Sequence, residues 1–512
     1  MNEEHPGVQI ETFEISIPRR GLDSYSIAHF RKFVETQIPV NSIPVRFAVT
    51  KSDADAFHCE VGSVIPDDDY KFNFTKRSIF DFNKRSHESS KEFNVALIVP
   101  TGIGVAVGGQ AGDAGPVARV LGKVCDNLIL HPNVVNASDI NEMTENSLYI
   151  EGSVLSRLLM GAIGLNKVRA NRVLTIIEDH EDSGFVDNTV NAINAARATY
   201  GLNNDRIAVL WPSFTMEAAE SASGSAVGHI RNLEHLINCL EYYKGDYDAV
   251  AIASIIGYDA DAHLDYFVNA EERVNPWGGA EAMLTHAISH FFNIPSAHAP
   301  LCENEQIEQL ETGVVDPRIA AEVVSTAYIN CVLKGLQRSP QIVDAEDCND
   351  PNVITARDIS CIVIPDTCLG LPVLAALEQG IKVIAVRNEN LMENDIAELP
   401  WAAGQFFRVE NYTEAAGIVE ALKSGIDPRS LYRPLLKAEA DLFHTDEQSG
   451  TVRVVDYYGE EAEHLELEIA ARDGSFDYDV EVESGFYDHE HRKTDNEPGE
   501  SQDRPAAIEL VA

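Results

Sequence analysis

Paired cysteines are missing from this sequence: eight are present and none stands in a C-x-x-C arrangement. Cys125, Cys239, Cys331 and Cys361 each lie alone in apolar surroundings, which argues for reduced thiols in a cytoplasmic setting rather than a disulfide framework. No apolar run approaches the length needed to span a bilayer. The first residues, MNEEHPGVQIETFE, lack the basic and apolar regions of a signal peptide. Positive charge is scarce, with 39 Lys and Arg against 82 Asp and Glu and a net charge of -43. A chain this acidic repels nucleic acid and anionic membrane surfaces, so neither is an expected partner, and solubility is the plain reason for the charge. An anionic ligand would need a locally positive pocket, built from backbone N–H groups and a few arginines. The chain's 512 residues, 45% of them apolar, allow two or three domains with sizeable cores.

The sequence is organised around Asn94 to Val120. Val95 to Val99 is an unbroken apolar run, too short for a helix and ended by Pro100, and reads as a buried parallel strand. Gly102, Gly104, Gly108, Gly109, Gly112 and Gly115 follow within fourteen residues, and a helix is expected from Pro116. A strand that runs through a glycine-rich turn into a helix N-terminus leaves outward-facing N–H groups that bind anions. The plainer alternative is glycine used for tight turning and close packing. No Gly-Lys-Ser/Thr follows and G-x-G-x-x-G fits nowhere in the stretch, so the cofactor is left open.

Before this stretch, Val8 to Ile15 and Val45 to Val49 read as strands, and Ser24 as the cap of a helix over Tyr25–Glu35. The polar run Lys84 to Lys91 reads as a linker. Residues 1–90 are therefore expected to be a small N-terminal α+β appendage. From Asn94 to about Lys437 strands and helices alternate. Strands are expected at Asn127–Leu130, Arg172–Ile177, Arg206–Leu210, Ala249–Ser254, Cys361–Ile364, Lys382–Val386 and Phe406–Val409. Helices are expected at Asp187–Tyr200, Leu233–Tyr243, Ala280–Phe292, Pro317–Leu336 and Thr413–Ser424. This pattern predicts an α/β protein of two Rossmann-like parallel-sheet lobes, at 91–215 and 216–437, with ligands beyond the C-terminal ends of the strands. The acidic residues 438–512 are read as a β-hairpin over Leu465–Ile469 and Phe476–Val482, then a disordered tail from Gly485.

Several blocks carry a family resemblance. They are PTGIGVAVGGQAGDAGPVARVL at 100–121, HPNVVNAS at 131–138 with SLYIEG at 147–152, NPWGGAEAMLTHAISHFFNIPSAHAPL at 275–301, and IVIPDTCLGLPVLAALEQGIKVIAV at 362–386. Together, and in this order, they resemble the DUF3326 family over about residues 94–437. The resemblance implies one soluble unit and supplies no reaction. Where that family suggests Cys-Gly-Gly-Pro, this chain has Cys368-Leu369-Gly370-Leu371-Pro372.

The candidate chemistry lies in the loops. Cys368, after a strand and before a helix, is the expected nucleophile, because a helix N-terminus favours the thiolate. His298, placed in a loop beside Pro300, is the expected acid/base. His286 and His290 share a helix face with His298 nearby, but without H-E-x-x-H no metal site is expected. Ligand contacts are expected from Thr101, Gly102, Gly104, Gly108, Gly109 and Asp113 of the glycine loop, and from His131, Asn133 and Asn136 in a Pro-broken loop. Ser223, Gly224 and Ser225 form a second small-residue cradle, and Gly278 and Gly279, with Glu281 in the first helical turn, a third. The leading expectation is an enzyme acting on a small anionic metabolite, phosphorylated or carboxylated, between the lobes. A non-catalytic metabolite sensor and an interaction scaffold are the competing readings, and a homodimer is the common assembly at this size.

Overall fold

Short apolar runs set the architecture. The computed structural model describes residues 7–67, 70–74, 77–181, 183–259, 265–270, 273–301, 313–325, 327–345, 348, 350–445 and 451–459. Val95, Ala96 and Leu97 are fully buried in the strand Asn94–Leu97, at the centre of a six-stranded parallel sheet. The order across it is Phe406–Val409, Lys382–Val386, Ile359–Pro365, Asn94–Leu97, Asn127–Leu130 and Ser147–Tyr149. Strands covered on both faces have no wet side to alternate with, which is why these segments read as continuous apolar runs. A second parallel sheet orders Arg206–Leu210, Val173–Glu178, Ala249–Ile255 and Ser296–Leu301. The protein is thus a mixed α/β structure, with antiparallel sheets beside the parallel ones. Among the described residues no helix is long and apolar enough to cross a membrane.

The described N-terminal strands do not form a sheet of their own. The strands Gln9–Pro18, Ile43–Ser52 and Ala56–Ile65 join Thr215–Glu220, Ala226–Arg231 and Leu369–Gly370 in a six-stranded sheet. Its antiparallel registers include Ile10 with Ile230 and Leu369 with Val49. The first helix is Ile27–Gln37, capped by Ser26, whose hydroxyl accepts from His29 N at 3.3 Å. Ser24, the expected cap, instead accepts from Arg20 N. The run expected as a linker is anchored by Arg85, whose guanidinium donates to the carbonyls of Ala356, Ile359, Gln379 and Gly380.

The chain divides into compact units at 1–432 and 433–512, and no break falls near residue 215. Each parallel sheet mixes strands from both expected lobes: 94–149 pairs with 359–409, and 173–210 with 249–301. The expected helix Pro317–Leu336 is two, Ala320–Val324 and Tyr328–Leu336, separated by extended backbone at Ser325. In the second unit, Asp441–Thr445 and Val452–Asp456 pair antiparallel. The hairpin expected at 465–482 and the tail from Gly485 lie outside the described residues.

The helix Gly278–Phe292 is enclosed rather than amphipathic. Ten of its fifteen residues are buried, more than one face of a helix can supply. It packs on Ala226–Arg231, Ser296–Leu301 and the helix Gly152–Leu159.

Candidate active site

A cavity of about 330 Å³ opens where these elements meet. Its wall is apolar over Phe47, Ile98, Leu155, Trp277 and Val332, with acid–base side chains set among them. Helix starts and strand ends position most of those groups, as the topology of parallel sheets requires.

The chain arrives through the glycine loop. Gly108 has φ of 96°, and a Cβ there would stand 2.2 Å from Val99 Cγ1, so the position needs both a left-handed backbone and no side chain. Three of the loop's amides are directed to the protein itself rather than to an open anion site. Ala106 N donates to Glu389 O at 2.8 Å, Val107 N to Asn388 Oδ1 at 2.9 Å and Ala111 N to Glu322 Oε1 at 3.1 Å. Asn133 Nδ2 ties the loop down by donating to Val99 O and Gly108 O at 3.0 and 2.8 Å. Thr101, His131, Asn133 and Asn136 line the cavity, whereas Gly102, Gly104, Gly108, Gly109 and Asp113 do not. Burial pushes the Asp113 carboxyl up to about 7, although the Gly108 amide and Arg318 oppose it.

His131 precedes the short helix Pro132–Val135, and its Nε2 lies 3.0 Å from Val99 N. A backbone N–H can only donate, so Nε2 is the acceptor and the neutral ring carries its proton on Nδ1. Burial pushes His131 down to about 4, partly opposed by Glu151. It is therefore an uncharged donor at neutral pH.

Two carboxylate–imidazole pairs stand near it. Glu151 caps the helix Gly152–Leu159, accepting from Ser153 N at 3.0 and 3.1 Å, and stands in contact with His286 Nδ1. Burial alone would raise its pKa, but His286 and the Ser153 donors reverse that and hold it below the usual carboxylate range. Glu281, in the first turn of the 278–292 helix, contacts His298 Nδ1 through Oε1 at 2.9 Å. His298 Nε2 in turn lies 2.9 Å from Ser254 Oγ, which is fully buried. Glu281 remains 27% exposed at its side chain while His298 is 1% exposed, so the carboxylate meets the cavity and the imidazole stands behind it. His298 is not in a loop. It lies inside the strand Ser296–Leu301, paired with Ile252.

Glu322 completes the group from the helix Ala320–Val324. It accepts from Ala111 N and, at 3.2 Å, from Tyr266 Oη. Burial pushes it up to about 7, reinforced by Glu281 and Asp113 and opposed by the two donors. Cys368 lines the same cavity, but burial pushes its thiol up to about 12. It precedes the N-cap Gly370 of the helix Leu371–Gln379 and is not in its first turn.

The other expected cradles are filled by the protein itself. The hydroxyls of Ser221, Ser223 and Ser225 all donate to Glu60 Oε1, at 2.7, 2.8 and 2.6 Å, and Arg46 holds Oε2 at 3.0 Å. The serine loop does bind an anion, and that anion is Glu60; Ser223, Gly224 and Ser225 are not on the cavity wall. Arg46 is the one lysine or arginine side chain there among the described residues, and Glu60 already engages it. Gly278 lines the cavity with its N–H directed to Asn275 Oδ1, and a Cβ on Gly279 would stand 2.1 Å from Ala226 O. Close packing is their evident role. Among the described residues no three His, Cys, Asp or Glu side chains are grouped to hold a metal ion.

Sequence reasoning misses Glu151, Glu322, Ser254 and Arg46. Glu151 lies within the SLYIEG block, and its partner His286 is weighed from the sequence only for a metal site, which is not expected there. Nothing in the local sequence marks Glu322 or Arg46.

Fold and site define a mixed α/β protein with a cavity of paired carboxylates and imidazoles. The chain belongs to the DUF3326 family, described as proteins of unknown function, whose model matches residues 94–432. An uncharacterized lipoprotein of Synechococcus sp. is 31% identical over 337 residues, covering 65% of this chain and 92% of that protein. No solved structure matches the chain.

Proposed function

We propose that this chain is an enzyme that moves a proton on a small organic metabolite carrying a carbonyl or a similarly polarised group. The observation that carries the reading is the file Glu281–His298–Ser254. A carboxylate exposed to a mostly apolar cavity, with one oxygen fixed by an imidazole, is a positioned general base. Its other oxygen has no hydrogen-bond partner among the described residues. Glu322, with a pKa raised to about 7, is the complementary acid, available in both protonation states near neutral pH. His131 supplies a neutral Nδ1–H that stabilises negative charge on a substrate oxygen without surrendering its proton. The reaction class is proton abstraction beside a carbonyl, leading to isomerisation or elimination.

In this reading the substrate is uncharged where it meets the wall, because Glu151, Glu281 and Glu322 face one pre-engaged arginine. That revises the expected anionic metabolite. The two parallel sheets act as Rossmann-like lobes around the cavity, and the cytoplasm is the proposed compartment. The test is untargeted mass spectrometry of a metabolite extract incubated with the protein. The wild-type chain is expected to deplete one metabolite in favour of an isomer or a dehydrated product, and Glu281→Gln to spare it. Equal conversion by both chains would overturn the assignment.

A further inference from the structure

A second cavity, of about 590 Å³, is bounded by the far ends of two helices that also serve the first. Glu151 and His286 belong to the first cavity, and Arg157 and His290, further along the 152–159 and 278–292 helices, to the second. Arg157 is 4% exposed, and its guanidinium donates only to neutral acceptors, Ser289 O at 3.1 Å and Asn293 Oδ1 at 2.5 Å. Among the described residues no carboxylate forms an ion pair with it. A buried charge with no carboxylate in direct contact is costly to keep, and burial accordingly pushes Arg157 down to about 10, with the more distant Asp344 and Glu151 opposing the shift.

His290 is also 4% exposed. Its Nε2 lies 3.0 Å from Arg77 O, so Nε2 bears the proton and Nδ1 presents a lone pair. That Nδ1 is buried and has no hydrogen-bond partner. At the mouth, Lys84 and Arg357 are exposed, and neither side chain has an acceptor among the described residues. The wall carries five cationic side chains against one carboxylate, Asp81, which pairs with Arg31. Two of the five are spoken for, Arg85 by backbone carbonyls and Arg77 by Asp344. In a chain with 39 basic and 82 acidic residues, such a concentration is not expected by chance.

We propose that this second cavity binds a small phosphorylated metabolite. Arg157, Lys84 and Arg357 hold the phosphoryl group, and a hydroxyl or N–H of the ligand donates to His290 Nδ1. The site is independent of the proton-transfer reading of the first cavity. Its ligand class follows from pairing an anion-seeking buried guanidinium with an acceptor that wants a donor.

The test is calorimetric titration of the full chain with inorganic pyrophosphate, adenosine monophosphate and adenosine. Saturable binding of adenosine monophosphate at millimolar concentration or below is expected, weakening as salt is raised, with none for adenosine. The exposed double variant Lys84→Glu/Arg357→Glu, which disturbs no packing, is expected to weaken that binding by at least about tenfold. Absence of saturable binding by both phosphorylated probes overturns the proposal. So does undiminished binding by the double variant, or adenosine binding as tightly as its monophosphate.

Discussion

Replacing Glu322 by Gln tests the electrostatics of the cavity without any knowledge of its substrate. The amide keeps an acceptor for Ala111 N and Tyr266 Oη and resembles the protonated acid in shape. Glu322 is 6% exposed, and its pKa stands at about 7 against an ordinary 4.5. A carboxyl whose folded pKa is raised holds its proton more tightly when folded. Its contribution is fully present below the unfolded value and is lost as pH rises through about 7. Between pH 5 and pH 8 that loss is on the order of 2–3 kcal/mol. The substituted amide has no proton to lose, so the stability of Glu322→Gln relative to wild type should rise by roughly 2–3 kcal/mol over that interval. His131 and His290, both pushed down to about 4, stabilise in the opposite sense as pH rises toward the ordinary histidine value, but they are common to both chains and cancel. Urea unfolding of the two chains at both pH values measures the difference. A difference that stays the same at pH 5 and pH 8 would refute the placement of a protonatable carboxyl in the cavity.

Arg46→Met should cost about 3 kcal/mol in the same assay, the low end for breaking a buried pair, because three serine hydroxyls still hold Glu60; an unchanged midpoint would contradict the clamp. Cys368, its thiol pushed up to about 12, should escape iodoacetamide at pH 8 in peptide mapping, and rapid labelling would show an activated thiolate. Gly279→Ala brings a Cβ against the backbone carbonyl of Ala226 and should destabilise by more than about 2 kcal/mol, seen as a lowered melting temperature.

Much of the scaffold is readable in the sequence because it is local. Asn127–Leu130 and Lys382–Val386 fall where short apolar runs predict them, since a strand buried on both faces has only its own hydrophobicity to announce it, and the half-buried edge strand Phe406–Val409 also falls where expected. What escapes depends on distant pairing. Ile10 meets Ile230 and Leu369 meets Val49, and nothing in either segment names its partner, so the N-terminal strands read as a separate body. Ser-Ala-His-Ala-Pro looks like a loop because its residues are small and end in proline, yet it forms the edge strand that presents His298. The serine loop shows the limit most clearly. Its hydroxyls and open turn correctly signal an anion, but only the fold reveals that Glu60, more than 150 residues earlier, is that anion. The glycine loop behaves in the same way where its partners are seen, for the amides of Ala111, Ala106 and Val107 are directed to Glu322, Glu389 and Asn388.

Proton transfer by Glu281 is most directly tested in deuterated water with the converted metabolite in hand. Wild-type protein should exchange the hydrogen on the carbon beside the polarised group for solvent deuterium, read in the recovered substrate or in an isomerised product, and Glu281→Gln should exchange none while still binding. Full-rate turnover by Glu281→Gln, or wild-type turnover that leaves solvent deuterium in neither the substrate nor an isomer, would contradict the account.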